Sequence, residues 1–226
     1  DKPHWKENRV RQNIKIYGGT QTVSNFRPTA AKYIYETYGG DGVVWDMSCG
    51  WGGRLLGSLS SQLPIHYVGT DVNSNNFGCY ERLGEFYNDK CNGENTYHIF
   101  RSGSEKISKV KEFQQYKNQL DLCFTSPPYF DLERYSGEAT QSYLKYPDVK
   151  SWYDGFLKNT IQNSHQNLKK NGHMILNIKD TKGLPDFVER TKNYAIESGF
   201  VLTDVFYLEL SKQTFAKNTA NNEPLL

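Results

Sequence analysis

The stretch VVWDMSCGWGG at residues 43–53 decides the fold. Its first three residues form a short apolar run typical of a buried strand, and the run ends at Asp46. Glycines follow, and RLLGSL at residues 54–59 has a helical pattern. A strand, a glycine-rich turn and a helix in this order are typical of α/β proteins that bind a ligand at the turn. The glycines let a ligand approach the backbone, and Asp46 can accept a hydrogen bond from an amine or a hydroxyl.

Two further apolar runs end in polar residues. IHYVG at residues 65–69 is followed by Thr70 and Asp71, and YHIF at residues 97–100 leads towards Ser102. In a nucleotide-binding βαβ unit an acidic residue at the second strand end holds a ribose diol, so we predict this role for Asp71. Ser102 lies in a polar turn that could border an adenine ring.

A fourth apolar run, LDLCF at residues 120–124, ends in TSPPY at residues 125–129. The two prolines fix φ near about −65° and keep Ser126 out of the helical region. Prolines have no N–H group, so carbonyls of the turn stay free to accept hydrogen bonds from a ligand. Together with the Ser126 hydroxyl and the flat ring of Tyr129, they suit an extruded base held by its exocyclic amino group. The alternative is a strand terminator with a packed tyrosine.

Taken together, these segments resemble the S-adenosylmethionine-dependent amino-methyltransferases of DNA, which make N6-methyladenine or N4-methylcytosine. The resemblance covers most of residues 23–180, including NFRPT at residues 25–29, which looks like the cofactor-binding segment of that family. It departs from the family at Met47 and Ser48, where Pro and Phe or Ala are more usual, and in lacking a long target-recognition segment.

The resemblance implies S-adenosylmethionine as the cofactor and DNA as the substrate. In the SPPY motif, Ser126 and the Pro127 carbonyl would accept hydrogen bonds from the target amine, and Tyr129 would stack on the base. The implied catalytic residues are Ser126, Pro127, Pro128 and Tyr129. The implied cofactor-binding residues are Phe26, Arg27, Pro28, Asp46, Ser48, Gly50, Gly52, Asp71 and Ser102. The substrate-binding candidates are Phe130, Arg134 and Lys179.

The alternation of strands and helices predicts the Rossmann-like methyltransferase fold. We expect a mostly parallel seven-stranded sheet with an antiparallel last strand and helices on both faces. Residues 1–24 are predicted to be a basic arm and residues 25–226 a single catalytic domain. Within that domain, residues 130–149 form a loop that either contacts the substrate or packs on the sheet.

Other elements follow from apolar spacing and from glycines in the turns. The predicted helices lie at residues 74–90, 104–118, 150–169 and 184–198, and the predicted strands at residues 173–178 and 201–210. Leu225 and Leu226 are expected to start the last strand of a chain that continues. A recognition module is expected before Asp1, after Leu226 or on a partner.

The composition limits the binding partners, metal sites and cellular location that we expect. The 226 residues carry a net charge of +2, so affinity for nucleic acid requires a local basic patch. Four cysteines, without CxxC spacing, predict no structural metal and a reducing compartment. There is no apolar run long enough for a membrane span and no signal pattern, so we expect a cytoplasmic protein in a prokaryotic or phage-like context.

Rival functions remain open. An RNA or protein-glutamine methyltransferase presents an NH2 group to a related turn, and a catalytically silent nucleic-acid-binding relative could keep the fold. Carbon-5 methylation of cytosine needs a Pro-Cys nucleophile, and no cysteine follows Pro127 or Pro128. A dehydrogenase would need the GxGxxG spacing, which is absent.

Overall fold

The computed structural model describes residues 25–88, 90–91, 94–209 and 222–225. The arm predicted for residues 1–24 and the connection at residues 210–221 lie outside these ranges.

A five-stranded parallel sheet forms the centre of the molecule, in the order β3-β2-β1-β4-β5. Its strands are β1 Val43–Asp46, β2 His66–Asp71, β3 Thr96–Arg101, β4 Leu120–Thr125 and β5 Leu168–Leu176. The four apolar runs singled out above form most of the first four strands, with Ile65 just before β2, which confirms those predictions. Strand order reverses between β1 and β4. In α/β sheets, ligands bind at such a reversal, outside the carboxyl ends of the strands.

Helices cover both faces of this sheet. They are α1 Pro28–Ile34, α2 Gly53–Leu59, α3 Phe77–Asn88, α4 Ser142–Lys145, α5 Val149–Trp152, α6 Lys158–Asn167 and α7 Phe187–Glu197. Adjacent residues of β1 point to opposite faces, so Val44 packs in one hydrophobic cluster and Trp45 in the other. Both strand faces are thereby buried, as a parallel sheet requires.

Two short strands extend the sheet. Strand β6, Phe206–Glu209, pairs antiparallel with β7, Asn222–Leu225. Leu225 also forms an antiparallel bridge with Asn177, just after β5. The described residues therefore hold the seven expected strands as a five-stranded sheet and a two-stranded ribbon joined by this bridge. The last strand begins at Asn222, earlier than the expected start at Leu225.

The helix predicted over residues 104–118 is wrong. Two 3-10 helices, Ser104–Lys109 and Lys111–Tyr116, stand there, because Val110 between them has extended backbone angles (φ −85°, ψ 114°). The helix predicted over residues 150–169 ends at Asn167 and contains a π-helical turn at Tyr153–Leu157. Leu168 already has extended angles and begins β5.

Candidate functional site

A cavity of about 910 Å³ opens at the carboxyl ends of the parallel strands. Its walls come from the glycine-rich turn after β1, the turns after β2 and β3, the SPPY turn after β4, and residues 132–142, which we call the roof segment. The cavity therefore lies at the reversal of strand order, where the sequence predicted a ligand site.

Asp46 lies at the end of β1 and is fully buried. Its Oδ2 accepts hydrogen bonds from Arg54 Nε at 2.8 Å and from the Tyr67 hydroxyl at 2.7 Å. Its Oδ1 accepts from Thr125 Oγ1 at 3.0 Å and from the Ser48 N–H at 3.1 Å. These four donors occupy the acceptor positions of a carboxylate, so Asp46 ties β1, β2, β4 and α2 together.

Arg54, which the sequence placed only in a helix, is the charged partner in this network. It is 5% exposed, and its guanidinium also donates to the Ser48 carbonyl and lies 5.7 Å from the centre of the Phe26 ring. Burial works to lower the pKa of Arg54, but the charge and hydrogen bond of Asp46 outweigh it and hold that pKa above its ordinary value. The sequence signal was a single arginine within an otherwise uncharged helical segment.

The glycine-rich turn and Asp71 form one unit. Gly50 (φ 57°) and Gly52 (φ 81°) have left-handed backbone angles, which glycine adopts without strain. The Gly50 N–H donates to Asp71 Oδ2 at 2.8 Å, and the Asn73 N–H donates to Oδ1 at 2.8 Å. Burial raises the pKa of Asp71, against the effect of these two N–H groups and of the Tyr80 hydroxyl. The carboxylate retains capacity for a hydrogen bond from a ligand in the cavity.

The N-terminal segment packs directly on this turn. A Cβ at Gly53 would lie 2.4 Å from the Phe26 carbonyl oxygen, and one at Gly57 would lie 2.7 Å from the Pro28 carbonyl oxygen. The glycines of α2 therefore allow the start of α1 to approach closely. As a result Phe26 and Arg27 line the cavity, and the Phe26 ring meets Phe124 edge-on at 5.3 Å.

The SPPY turn leaves β4 beside the cavity, which Ser126, Pro128 and Tyr129 line. The Tyr129 hydroxyl accepts a hydrogen bond from the Lys179 N–H at 3.0 Å, and its ring packs edge-on against Phe187 at 5.2 Å. Two independent contacts thus fix the ring at the cavity wall.

The roof segment is fastened to the strand ends below it. Glu138 accepts hydrogen bonds from the Ser74 N–H at 3.1 Å and from the Ser74 hydroxyl, and it lies 3.9 Å from the Arg101 guanidinium. Beyond the segment, Lys145 pairs with the buried carboxylate of Glu105. The loop predicted at residues 130–149 therefore packs over the ends of β2 and β3 and closes one side of the cavity.

The structure brings most of the sequence-predicted residues to this one cavity. Those that line it are Phe26, Arg27, Ser48, Gly50, Asp71, Ser102, Ser126, Pro128, Tyr129 and Lys179. Pro28 begins α1, Gly52 precedes α2, Pro127 is buried in its turn, and Asp46 faces the network described above; none of these lines the cavity.

Two substrate-binding candidates lie outside the cavity. Phe130 has a left-handed backbone (φ 51°) and packs on Trp152, with ring centres 6.1 Å apart. Arg134 is exposed and pairs with Asp131 at 3.5 Å. Neither position tests a role in binding, and both assignments stay predictions.

In the part of the chain that the structure describes, the His, Cys, Asp and Glu residues form no group of three or more that could hold a metal ion. None of the helices described there is long and apolar enough to cross a membrane.

Comparison with known proteins identifies the fold. No protein-family model matches the sequence, and no curated protein matches it. A methyltransferase from Pyrococcus furiosus aligns with a TM-score of 0.56 and 16% identity, over 96% of this chain and 94% of that one. TrmN from Thermus thermophilus aligns with a TM-score of 0.58 and 12% identity, over 88% of this chain but 47% of that one. A precorrin-6y C5,15-methyltransferase from Geobacter metallireducens gives 0.51 and 13%, over 86% and 83%. The chain therefore has the Rossmann-like fold of methyltransferases, as the sequence predicted.

Proposed function

We propose that this chain transfers a methyl group from S-adenosylmethionine to the exocyclic amino group of an extruded DNA base, N4 of cytosine or N6 of adenine. One observation carries the proposal: Ser126, Pro128 and Tyr129 line the same cavity as Asp71 and Phe26. A turn suited to an amino group and an acid suited to a ribose thus share one space.

The residues present fit the cofactor. Asp71 lines the cavity and keeps acceptor capacity, and its Gly50 partner brings the backbone of the glycine-rich turn to the same place. A carboxylate in this position accepts from ribose hydroxyls. Ser102 borders the same cavity at the end of β3. A cavity of about 910 Å³ lies within the range of small-molecule sites.

The SPPY turn supplies the chemistry of the amine. The lone pair of an exocyclic amino nitrogen is delocalised into the base, so this nitrogen is a poor nucleophile. The Ser126 hydroxyl, at the cavity wall, would accept from the amine, draw its hydrogens out of the ring plane and favour a tetrahedral nitrogen. The Pro127 carbonyl, the second acceptor that the resemblance implies, belongs to a residue that does not line the cavity. When bound, S-adenosylmethionine supplies a methyl group on a positively charged sulfur; the N–C bond forms as the S–C bond breaks, and the nitrogen loses one proton to solvent.

Aromatic rings at the cavity support a base as the target. Tyr129 offers a fixed ring at the wall, and Trp51 and Tyr135 meet edge-on at the rim with ring centres 6.0 Å apart. An extruded base is recognised by such rings together with hydrogen bonds to its edge.

The test is to incubate the chain with labelled S-adenosylmethionine and a mixture of DNA and RNA, then identify the methylated nucleoside by mass spectrometry. We expect N4-methylcytosine or N6-methyladenine in DNA. Ser126→Ala should lose the signal, and Ser108→Ala, at an exposed serine, is the matched control. Label found in RNA alone would overturn the DNA assignment, and cofactor binding without any transfer would favour the silent relative.

A further inference from the structure

The chain that follows β5 forms one wall of the cavity. The residues of this wall that line the cavity are Asn177, Lys179, Thr181 and Lys182. Asp180, between them, is turned towards α7, where its Oδ1 accepts a hydrogen bond from the Val188 N–H at 2.9 Å. Among the described residues of this wall, those that line the cavity and carry a charge are therefore the two lysines.

Lys182 stands at the tip of a closed turn. The Thr181 N–H donates to the Leu184 carbonyl at 3.0 Å, and the Leu184 N–H donates to the Thr181 carbonyl at 3.0 Å. Leu184 is buried in the hydrophobic core, so it anchors the turn. Lys182 and Gly183 are the two residues between these hydrogen bonds, and the backbone of Lys182 is thereby fixed on the cavity wall.

The ammonium group of Lys182 is available to a ligand. The residue is exposed and lines the cavity, and its side chain makes no ion pair or hydrogen bond with the residues that the structure describes. Lys145, in contrast, is paired with the carboxylate of Glu105. A lysine is a compact point charge with three donors on a flexible stem, and it binds phosphate in this form.

The turn lies on the target side of the cavity. In the sheet, β2 with Asp71 at its end and β5 are three strand spacings apart, about 14 Å. The Lys179 N–H donates to the Tyr129 hydroxyl at 3.0 Å, and the three residues from Lys179 to Lys182 span at most about 11 Å. Lys182 is therefore near the ring that would stack on the target base and away from the acid that would hold the ribose of the cofactor.

We propose that Lys182 binds a backbone phosphate that flanks the extruded base. This inference rests on the proposed function. An extruded nucleotide turns about its own backbone, so its base enters the cavity while the phosphates on either side stay at the mouth. A phosphate contact positions the nucleotide and does not read the base. It also favours a nucleic acid over a protein glutamine, since the glutamine carries no phosphate beside its amide.

The first measurement is fluorescence anisotropy at several salt concentrations, with a DNA that the unchanged protein methylates. Lys182→Gln should bind this DNA about threefold to fivefold more weakly at low salt, because the contact is exposed. The negative slope of log affinity against log salt concentration should become less steep by about 0.9. Lys182→Arg keeps the charge and should retain both the affinity and the slope. Lys117→Gln, at an exposed lysine before β4, is the matched control.

A second measurement locates the contact. A neutral methylphosphonate replaces, in turn, each of the two phosphates that flank the methylated base. The unchanged protein should bind one of these two DNAs more weakly than the parent DNA, and Lys182→Gln should not distinguish that DNA from the parent. Affinity for S-adenosylhomocysteine and the rate of methyl transfer at saturating DNA should stay unchanged in Lys182→Gln.

The outcomes separate this inference from the proposed function. Equal salt slopes in Lys182→Gln and the unchanged protein, or an equal loss in Lys117→Gln, would overturn the role of Lys182 while DNA methylation stands. A changed slope without any effect of either methylphosphonate would move the contact away from the target nucleotide and overturn it as well. An unchanged protein that binds S-adenosylmethionine but methylates no DNA overturns the proposed function, and this inference with it.

Discussion

Asp46 and Asp71 end neighbouring parallel strands, yet their carboxylates differ in how many hydrogen bonds they receive from the protein. Asp46 receives four hydrogen bonds from within the protein, one of them from the buried Arg54 guanidinium. Asp71 receives two backbone hydrogen bonds and borders the cavity. A carboxylate has about four acceptor positions, so the first is saturated, whereas the second still has room for a ligand.

A position at a strand end therefore does not by itself make an acid a ligand contact. Asp46 stabilises the junction of β1, β2, β4 and α2, which holds the glycine-rich turn in place. Asp71 is positioned by that turn and keeps oxygen lone pairs for a ligand. Mutation can separate these two roles, because the first acts on folding and the second on binding.

Asp46→Ala should have the largest effect. It leaves the Arg54 guanidinium buried without its counter-charge, which costs about 3–5 kcal/mol of the free energy of unfolding. Urea denaturation measures this loss. The double variant Asp46→Leu with Arg54→Met removes both charges and should recover part of it. A stable Asp46→Ala protein that loses only cofactor affinity would show that the carboxylate serves the ligand after all.

Asp71→Ala should weaken cofactor binding by roughly 1.5–3 kcal/mol, because charge-assisted hydrogen bonds to the ribose are lost. The fold should remain, since water in the cavity can replace the carboxylate at Gly50 and Asn73. Calorimetry with S-adenosylmethionine measures the affinity. Unchanged affinity in a folded Asp71→Ala protein would remove Asp71 from the cofactor site.

The pH dependence of cofactor binding is a further test of the role of Asp71. Burial raises the pKa of Asp71, so this carboxylate takes up a proton at a higher pH than an exposed aspartate. The charged form is the stronger acceptor, so affinity should be complete above this raised pKa and fall as pH falls through it. Calorimetry from neutral to mildly acidic pH should show the decline in the unchanged protein and a smaller one in Asp71→Ala.

Tyr129 tests the target side of the cavity. Tyr129→Ala should raise the free-energy barrier of methyl transfer by about 1–3 kcal/mol, because a stacking surface is lost, and should leave cofactor affinity unchanged. Tyr129→Phe keeps the ring and loses only the hydrogen bond from the Lys179 N–H, so it should raise this barrier by about 1 kcal/mol. Single-turnover rates on DNA separate the two. Equal losses would assign the effect to the hydroxyl and contradict stacking.

Arg134 should give the smallest effect. Arg134 is exposed and pairs with Asp131, whose carboxylate, unlike those of Asp46 and Asp71, faces solvent. If Arg134 contacts a phosphate, the negative slope of log DNA affinity against log salt concentration should become less steep by about 0.9 in Arg134→Ala. The melting temperature should stay unchanged. Arg82→Ala, at an exposed arginine on α3, is the control for lost charge. Equal slopes in Arg134→Ala and the unchanged protein would remove Arg134 from the DNA interface.

The sequence predicted the strand ends well because each is an apolar run stopped by polar or turn-forming residues. It placed Asp46 among the cofactor-binding residues and did not show the hydrogen-bond network of this carboxylate, because the side-chain donors come from β2, β4 and α2 and meet only in the folded sheet. The failure at residues 104–118 is different, since apolar spacing does not report the extended angles at Val110.

The contacts that hold the roof segment bear on how fast a bound molecule leaves. With Glu138 bound to Ser74 and close to Arg101, a ligand beneath the roof segment leaves through the part of the cavity that this segment does not cover, or waits for those contacts to break. We expect product exchange, rather than the chemical step, to set the steady rate. A rapid burst of one methylated base per protein molecule would reveal it, and a linear time course from the start would argue against it.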